Sequence, residues 1–392
     1  MTKNNKQSVS TPFYRDNRVL PIILQLLFAI AVIGVIWYFI NNALIGLEKL
    51  GLKLGFGFLT NIASFNIGES MIEFQSTDTY LRAVLVGILN TLKVSVLGVI
   101  FASIIGFIVG IARLSNNWLV QKIATVYIEI FRNTPLLVQI FIWYFAVFLA
   151  LPQVKESISI GQVHISNKGV NIPWVNANDG TLVWTVGIIL AITFAITMWT
   201  VMIKSQVKSG TRKYPSIWAI AGFIIPIIIV LLITQQAPAD MEYPVMGNFG
   251  YTGGYLITSN FAAIFIALTI YTATYIAEII RAGIMSVSKG QLEASKALGI
   301  KGSTTMRLVV LPQAIRIIIP PLTSQYLNLT KNSSLAIAAG FPDLVSVAST
   351  INNQTGRAVQ SVVIMIIVYL ILSILTSIFM NIFNKKMQIV ER

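Results

Sequence analysis

The chain has 392 residues, of which 55% are hydrophobic and 11% charged, with a mean hydropathy of +0.77 and a net charge of +14. These values exclude an ordinary soluble domain and predict an all-α polytopic membrane protein. The absence of cysteine excludes disulfides, cysteine-ligated metals and cysteine nucleophiles, and the single histidine, His164, is expected at the surface of an external loop. We therefore expect no metal site. No basic tract is interleaved with aromatic residues, so the charge indicates topology and attraction to membrane lipids, with no nucleic acid as partner.

Eight apolar runs are long enough to cross about 30 Å of hydrocarbon, which takes roughly 20 helical residues. They lie near residues 20–44, 84–112, 123–151, 182–203, 216–235, 259–281, 308–336 and 359–383. Most of the 28 Lys and Arg residues fall in segments that are cytoplasmic when the N-terminus is inside. The pattern thus predicts cytoplasmic tails at 1–19 and 384–392 and an external loop at 45–83. The first run follows a polar lead and lacks a small-x-small cleavage site, so we expect it to remain as a helix.

The first part of the predicted core, residues 84–151, opens with the polar stretch Asn90-Thr91-Leu92-Lys93-Val94-Ser95. The amide and hydroxyl groups of Asn90, Thr91 and Ser95 can orient the ammonium and carboxylate of a zwitterion. Hydrogen bonding between helices explains such residues in a membrane equally well. Both interpretations stay open, and the three residues are candidates for a substrate pathway.

The third run carries Glu129, Arg132 and Pro135 within seven residues. A proline and two charges at this depth predict a broken backbone, which is tolerated only where protein or a water-filled cavity surrounds it. The i, i+3 spacing of Glu129 and Arg132 predicts a structural ion pair, and direct substrate contact is the alternative. Thr134 and Gln139 are further pathway candidates.

Residues 152–258 form a predicted insertion with two extra spans. Leu182–Ile203 and Ile217–Ile233 contain no ionisable residue, so these spans are expected to face lipid. Charge within predicted spans is concentrated in the core instead, at Lys93, Glu129, Arg132, Glu278, Arg316 and Lys331. Because such groups are costly unless they are paired or hydrated, we expect the pathway in the core helices.

The second part of the core, residues 259–383, contains a distinctive cytoplasmic loop. Its sequence predicts a short helix over 288–300, with Ser288 and Gln291 at capping-box spacing, Gly299 as a left-handed stop and Ser303 as the cap of the next helix. A capped helix in such a loop indicates a docking site for a partner. The contact candidates are Gln291, Glu293, Ala294, Ser295, Lys296 and Gly299. Just before this loop, Glu278 and Arg281 repeat the i, i+3 arrangement, as a structural ion pair or as a ligand contact.

The seventh run combines Pro312, Pro320 and Pro321 with a polar stretch that follows them. Prolines remove backbone donors, so this span is predicted to be discontinuous and polar toward the interior. Asn328, Lys331 and Asn332 are candidate pathway residues there. Lys331 can face the carboxylate of a substrate, and a packing role has equal weight.

Several of these motifs occur together. Glu293-Ala294-Ser295, followed after three residues by Gly299 and later by Leu311-Pro312, resembles the coupling loop of ABC-importer permeases. The stretches around Glu278-Ile-Ile-Arg281 and Glu129-Ile-Phe-Arg132-Asn133-Thr134-Pro135 resemble the polar amino-acid branch of that family, and the inserted hairpin resembles the larger permease of general L-amino-acid importers.

This resemblance implies a type I ABC-importer permease fold with a core of five or six helices, in the inner membrane of a bacterium. It also implies an amino-acid substrate, a second permease that is related or identical, an external substrate-binding protein, and two ATPase subunits that hold ATP and Mg. The chain has no GxxxxGK[ST] motif, so we expect it to bind no cofactor and to be no enzyme itself.

The main alternative is an ion-coupled secondary amino-acid transporter, in which the carboxylates of Glu129 and Glu278 would carry protons. A membrane scaffold without transport is a third possibility, and the polar residues of the core make it the weakest.

Overall fold

The structure is a computed structural model that describes residues 20–49, 55–248 and 250–387. The predicted tail 1–19 and the end of the predicted C-terminal tail, 388–392, lie outside the described residues. The α-helices are α1 (Leu20–Lys49), α2 (Tyr80–Ala112), α3 (Trp118–Asn133), α4 (Leu136–Phe141), α5 (Thr181–Ser209), α6 (Pro215–Thr234), α7 (Ser259–Met285), α8 (Lys289–Ala297), α9 (Gly302–Thr305), α10 (Leu311–Asn332), α11 (Leu344–Thr355) and α12 (Ala358–Met387).

Seven helical segments of the described chain are long and apolar enough to cross a membrane. The prediction of a helical polytopic membrane protein is confirmed. The predicted break in the third span is present: the chain bends by 102° between α3 and α4. Proline disfavours helical backbone at the residue before it, and Thr134 is accordingly extended at the break that precedes Pro135.

The core is built around α7, which packs along the length of α2. Buried side chains of α7 contribute to two apolar clusters, one with Ile264 and Leu268 and the other with Ile276 and Ile280. Gly106 allows the two helices to approach closely, since a Cβ atom there would lie 2.6 Å from Cγ2 of Ile276. The helix pair is therefore the fixed frame of the molecule.

The insertion contains a β-structure that the sequence analysis did not predict. Its strands are β1 (Ile158–Ile160), β2 (Val163–Ser166), β3 (Gly169–Ile172), β4 (Trp174–Asn176), β5 (Asp240–Glu242), β6 (Val245–Gly247), β7 (Gly250–Thr252) and β8 (Tyr255–Thr258). They form an antiparallel sheet in the order β1-β2-β3-β8 and two antiparallel pairs, β4-β5 and β6-β7. His164 lies in β2 rather than in a loop, and its ring stacks on Tyr251 at 4.3 Å.

The sheet is joined directly to α7. Gly169 of β3 faces Thr258 of β8, and a Cβ atom on this glycine would collide with the backbone oxygen of Ile257. The hydroxyl of Thr258 in turn accepts a hydrogen bond from the backbone N–H of Phe261 and caps α7. The external sheet therefore leads straight into the central helix.

Helices α5 and α6 pack against each other as a hairpin, with Gly187 in close contact with Val230. Most of their large apolar side chains point outward, including Leu182, Leu232 and Ile233. This exposure fits the expectation that the extra spans face lipid.

Helix α10 continues through Pro320 and Pro321, so a break at the proline pair is wrong. A π-helical segment, Met306–Val310, precedes α10 and a 3-10 segment, Ser333–Ala339, follows it. Helix α10 packs against α7 and α12, and its buried residues Ile318 and Leu329 lie on either side of the proline pair.

Candidate functional site

Helix α8 stands almost free of the rest of the chain. Within α8, all of which the structure describes, Ser295 is the single buried residue, and its hydroxyl donates to the carbonyl of Gln291 at 2.8 Å. Gln291, Glu293, Ala294 and Lys296 are exposed. The described residues thus leave these four docking candidates uncovered, whereas Ser295, a fifth candidate, is buried.

The end of α8 is a left-handed turn, as its sequence predicts. Gly299 has φ +69, its N–H donates to the carbonyl of Lys296 at 2.9 Å, and the N–H of Ile300 donates to Ser295 at 3.0 Å. The predicted capping box is wrong: Ser288 occupies the N-cap position without a side-chain hydrogen bond. Ser303 is also no cap, because α9 already begins at Gly302 with Lys301 as its N-cap.

Exposed large apolar side chains lie before and after α8 in the chain. Leu298 is 77% exposed, Leu308 67% and Met285 62%. Together with the polar residues of α8 they form the coupling surface: Met285, Gln291, Glu293, Lys296, Leu298 and Leu308. Apolar centres with a polar rim are typical of a protein–protein interface.

Next to the coupling surface, Glu278 of α7 pairs with two arginines. Arg281 contacts one carboxylate oxygen at 3.1 Å, and Arg113, which directly follows α2, contacts the other. The predicted pair of Glu278 and Arg281 is thus present. Sequence reasoning missed Arg113, whose place directly after the second predicted span was the available signal. The ion pairs tie the inner ends of α2 and α7 together.

The described residues show no ion pair between Glu129 and Arg132, and this prediction is wrong. The amide of Asn133 donates to Glu129 at 3.1 Å, and the guanidinium of Arg132 lies 5.5 Å from the ring centroid of Tyr275 on α7. A planar guanidinium stacks well on an aromatic face, which leaves the carboxylate to the neighbouring amide.

Gln139 and Thr134 stabilise the break in the third span. The buried amide of Gln139 donates to the carbonyls of Phe131 at 2.7 Å and Thr134 at 3.0 Å, and the hydroxyl of Thr134 donates to Ile130 at 2.8 Å. The carbonyl of Phe131 has no helical donor, because Pro135 four residues later lacks an N–H, so the side chain of Gln139 satisfies it. The contacts support a structural role for both residues.

Asn90 and Thr91 are buried in contacts within the protein. Asn90 donates to the carbonyls of Glu69 at 2.8 Å and Pro342 at 2.9 Å, and Thr91 accepts from the N–H of Leu344 at 3.1 Å. They hold α11 and the external loop against α2, which favours the helix-contact interpretation. The buried hydroxyl of Ser95 makes no hydrogen bond with the described residues.

Lys93 forms a second external clamp. Its ammonium contacts a carboxylate oxygen of Glu69 at 2.6 Å and the hydroxyl of Tyr255 at 2.9 Å, and it lies 4.2 Å from the ring centroid of Phe261. The hydroxyl of Thr258 also donates to Glu69. The ion pair of Lys93 and Glu69 therefore joins α2 to the loop before it. Through Tyr255, Thr258 and Phe261 it also contacts β8 and the start of α7.

Two spans present polar side chains on uncovered faces. On α3 these are Glu129, Arg132 and Asn133, and on α10 they are Ser324, Asn328 and Lys331, which recur at helical spacing. Asn332 is half-buried. A charged side chain that faces hydrocarbon at mid-depth costs about 2.5–3.5 kcal/mol on insertion scales, so these faces need a polar neighbour.

Asp343 is the N-cap of α11. Its carboxylate accepts a hydrogen bond from the N–H of Ser346 at 2.9 Å, and the residue is fully buried. Burial raises the pKa of Asp343 to about 6, although the backbone hydrogen bonds act in the opposite direction.

The chain resembles known proteins over nearly its whole length. The family described as binding-protein-dependent transport system inner membrane component matches residues 211–389. The general L-amino acid transport system permease protein AapQ of Rhizobium johnstonii is 47% identical over 388 residues, which are 99% of this chain and 96% of that protein.

Two further relatives agree. The putative amino-acid ABC transporter permease protein YhdX of Escherichia coli is 43% identical, over 94% of each chain. The glutamate/glutamine/aspartate/asparagine transport system permease protein BztB of Rhodobacter capsulatus is 38% identical, over 96% of each chain. These relatives give no support to the ion-coupled alternative. The chain therefore belongs to the inner-membrane components of binding-protein-dependent transport systems, as a multi-pass permease subunit of an ABC transporter.

Proposed function

We propose that this chain lines the translocation pathway of an ATP-driven amino-acid importer in the inner membrane of a bacterium. Two relatives are named as permeases for L-amino acids and for glutamate, glutamine, aspartate and asparagine, which supports an amino-acid substrate. The observation that carries the proposal is α8, a helix left uncovered directly after the central helix α7.

An ATPase subunit docks on the coupling surface. Leu298, Leu308 and Met285 supply apolar contacts, Glu293 and Lys296 supply polar ones, and Gly299 sets the turn that presents them. ATP and Mg are bound by two such subunits rather than by this chain. Because α8 follows α7 after a short turn, movement of the docked helix is passed to the core.

A second permease, related or identical, faces the polar sides of α3 and α10. Glu129 on α3 and Asn328 and Lys331 on α10 then line a hydrated pathway instead of meeting lipid. Lys331 lies in the last turn of α10, where its charge also suits the helix C-terminus. In this arrangement it attracts the carboxylate of the amino acid.

The external substrate-binding protein docks on the β-structure of the insertion. Trp174, Val175, Tyr243 and Val245 are exposed there, outside the spans. The direct link from β8 to α7 lets such docking act on the central helix.

The test replaces one left-handed glycine in the coupling loop. Gly299 and Gly210 both have φ +69, and at both positions an added Cβ atom would meet no other atom within 4 Å, but Gly210 lies in the α5–α6 turn. Leucine at either position carries a similar backbone cost of about 1–2 kcal/mol. In vesicles with the complete complex, we expect Gly299→Leu to lower ATP-dependent uptake at least tenfold and Gly210→Leu to leave it nearly unchanged. Normal uptake with Gly299→Leu would contradict the docking proposal.

A further inference from the structure

A polar cavity lies at the inner ends of α2, α3 and α7. It has a volume of about 600 Å³ and is lined by Arg113, Ser115, Asn116, Gln121, Thr125 and Arg281, among others. Small-molecule sites commonly have volumes of roughly 300–1,000 Å³. The cavity is therefore large enough for an amino acid, and it lies beside the coupling surface.

The charges around this cavity do not balance. Arg113 and Arg281 share the single carboxylate of Glu278, one on each oxygen. Glu129 and Arg132 also act on Arg113, in opposite directions, so that three arginines face two carboxylates. One positive charge remains, and it lies on side chains that are only 21% and 30% exposed.

One N–H group of the Arg281 guanidinium lacks a strong hydrogen-bond acceptor. Nε and Nη2 of Arg281 hold Glu278, but Nη1 points to the sulfur of Met285 at 3.0 Å, and Met285 also lines the cavity. A thioether is a weak acceptor, so an oxyanion that enters would replace it with a stronger, charge-assisted bond.

The electrostatics of Arg113 agree with this geometry. Burial lowers the pKa of Arg113, and the positive charge of Arg281 lowers it further, while Glu129 raises it and Arg132 lowers it. An arginine stays protonated throughout the physiological range, so Arg113 remains a cation that pairs with Glu278 but is repelled by Arg281. A bound anion would relieve this repulsion.

We infer that the cavity is an oxyanion site open to the cytoplasm, where the carboxylate of an imported amino acid binds between Arg113 and Arg281. The amide and hydroxyl groups of Asn116, Gln121 and Thr125 supply acceptors for its ammonium group. The occupied site joins α2, α3 and α7 more firmly in this arrangement. Accumulated product therefore slows further uptake, because it stabilises one state of the transporter over the other.

The inference rests on the proposed amino-acid transport and is tested in the same vesicles. The complete complex is reconstituted in phosphatidylcholine with ATP inside, and the initial uptake of labelled L-glutamine is measured at rising concentrations of internal ligand. The internal ligands are unlabelled L-glutamine and L-glutamine α-amide, which keeps the ammonium but lacks the carboxylate. A parallel set of vesicles contains phosphatidylglycerol, whose phosphate offers the same oxyanion chemistry from a lipid.

We expect internal L-glutamine to lower uptake severalfold and the α-amide to have little effect. Arg113→Gln should raise the inhibitory concentration at least roughly tenfold, since it removes a charge-assisted contact. Lys122→Gln is the matched control, because Lys122 is an exposed cation on α3 that does not line the cavity. Met285→Leu should keep or strengthen inhibition, because it frees Nη1 of Arg281.

Several results would overturn the inference. One is equal inhibition of uptake by the α-amide and by L-glutamine, and another is unchanged inhibition by L-glutamine in the Arg113→Gln variant. A third is an effect of phosphatidylglycerol on uptake without any effect of internal L-glutamine, and this result would assign the site to lipid. The comparison of the two ligands needs no variant and therefore holds even where Arg113→Gln assembles poorly. Vesicles that show no ATP-dependent uptake would refute the proposed function, whereas normal uptake that ignores internal amino acid would refute this inference alone.

Discussion

Replacing Asn90 by alanine should lower the stability of the protein without changing its affinity for substrate. Asn90 is fully buried in α2, and its amide donates to the carbonyls of Glu69 in the external loop and of Pro342 before α11. Alanine would leave both carbonyls without this donor and open a small cavity between the three segments.

The size of the effect follows from the two lost bonds. A hydrogen bond contributes about 0.5–1.5 kcal/mol net, and a buried acceptor left without its partner costs about 1–3 kcal/mol. Both bonds are only part-buried, so their net contributions apply, and together they give a loss of about 1–3 kcal/mol for Asn90→Ala. The matched variant is Asn328→Ala, because Asn328 lies on the uncovered polar face of α10.

The assay compares thermal unfolding of the purified complex with the concentration dependence of uptake in vesicles. For Asn90→Ala we expect a Tm several degrees lower and an unchanged KM, and for Asn328→Ala an unchanged Tm and impaired uptake. A normal Tm together with a raised KM in Asn90→Ala would refute the structural role and would support Asn90 as a residue of the substrate pathway.

Two further perturbations test the fold. The pKa of Asp343 is raised to about 6 from 3.8, so its contribution to stability is fully present below about pH 4 and is lost as the pH rises through 6. Melting curves between pH 4 and pH 7 should show this fall, and Asp343→Asn, which still caps α11, should flatten it; an equal pH dependence in both proteins would contradict the assignment. Gly106→Leu should destabilise the contact of α2 with α7 by about 1–3 kcal/mol or prevent assembly, because even a Cβ atom would meet Ile276. The control is Gly34→Leu in α1, where an added Cβ atom would meet no other atom within 4 Å. Equal Tm values for the two variants would argue against the close contact of α2 with α7.

Local patterns predicted much of the helical architecture. The apolar runs, the break at Pro135 and the left-handed Gly299 follow from hydropathy and backbone sterics that act within a few residues. The short strands of the insertion escaped prediction, because segments such as Trp174–Asn176 are too brief to show a period of their own. The continuation of α10 through its prolines also escaped, since packing against other helices overrode a local cost.

In the candidate site, too, some features could be predicted from the sequence and others could not. The exposure of most α8 residues could be predicted from the sequence, because the other described residues bury only Ser295 of this helix. The partners of the buried polar residues could not. Glu129 lies at ideal spacing from Arg132, yet the arginine stacks on Tyr275 of a different helix. Arg113 carries no motif, and its role became visible only beside Glu278.

The sequence alone therefore predicted the apolar helical segments and a short helix at the position of α8, because hydrophobic periodicity and the left-handed stop at Gly299 depend on neighbours along the chain. The tertiary structure alone decided which polar residues clamp the fold and which stay uncovered. Asn90 and Pro342 are 252 positions apart in sequence and meet only when α2 and α11 pack together. A polar side chain in a membrane protein takes whichever partner the packing brings near, and that choice is made by contacts distant in sequence.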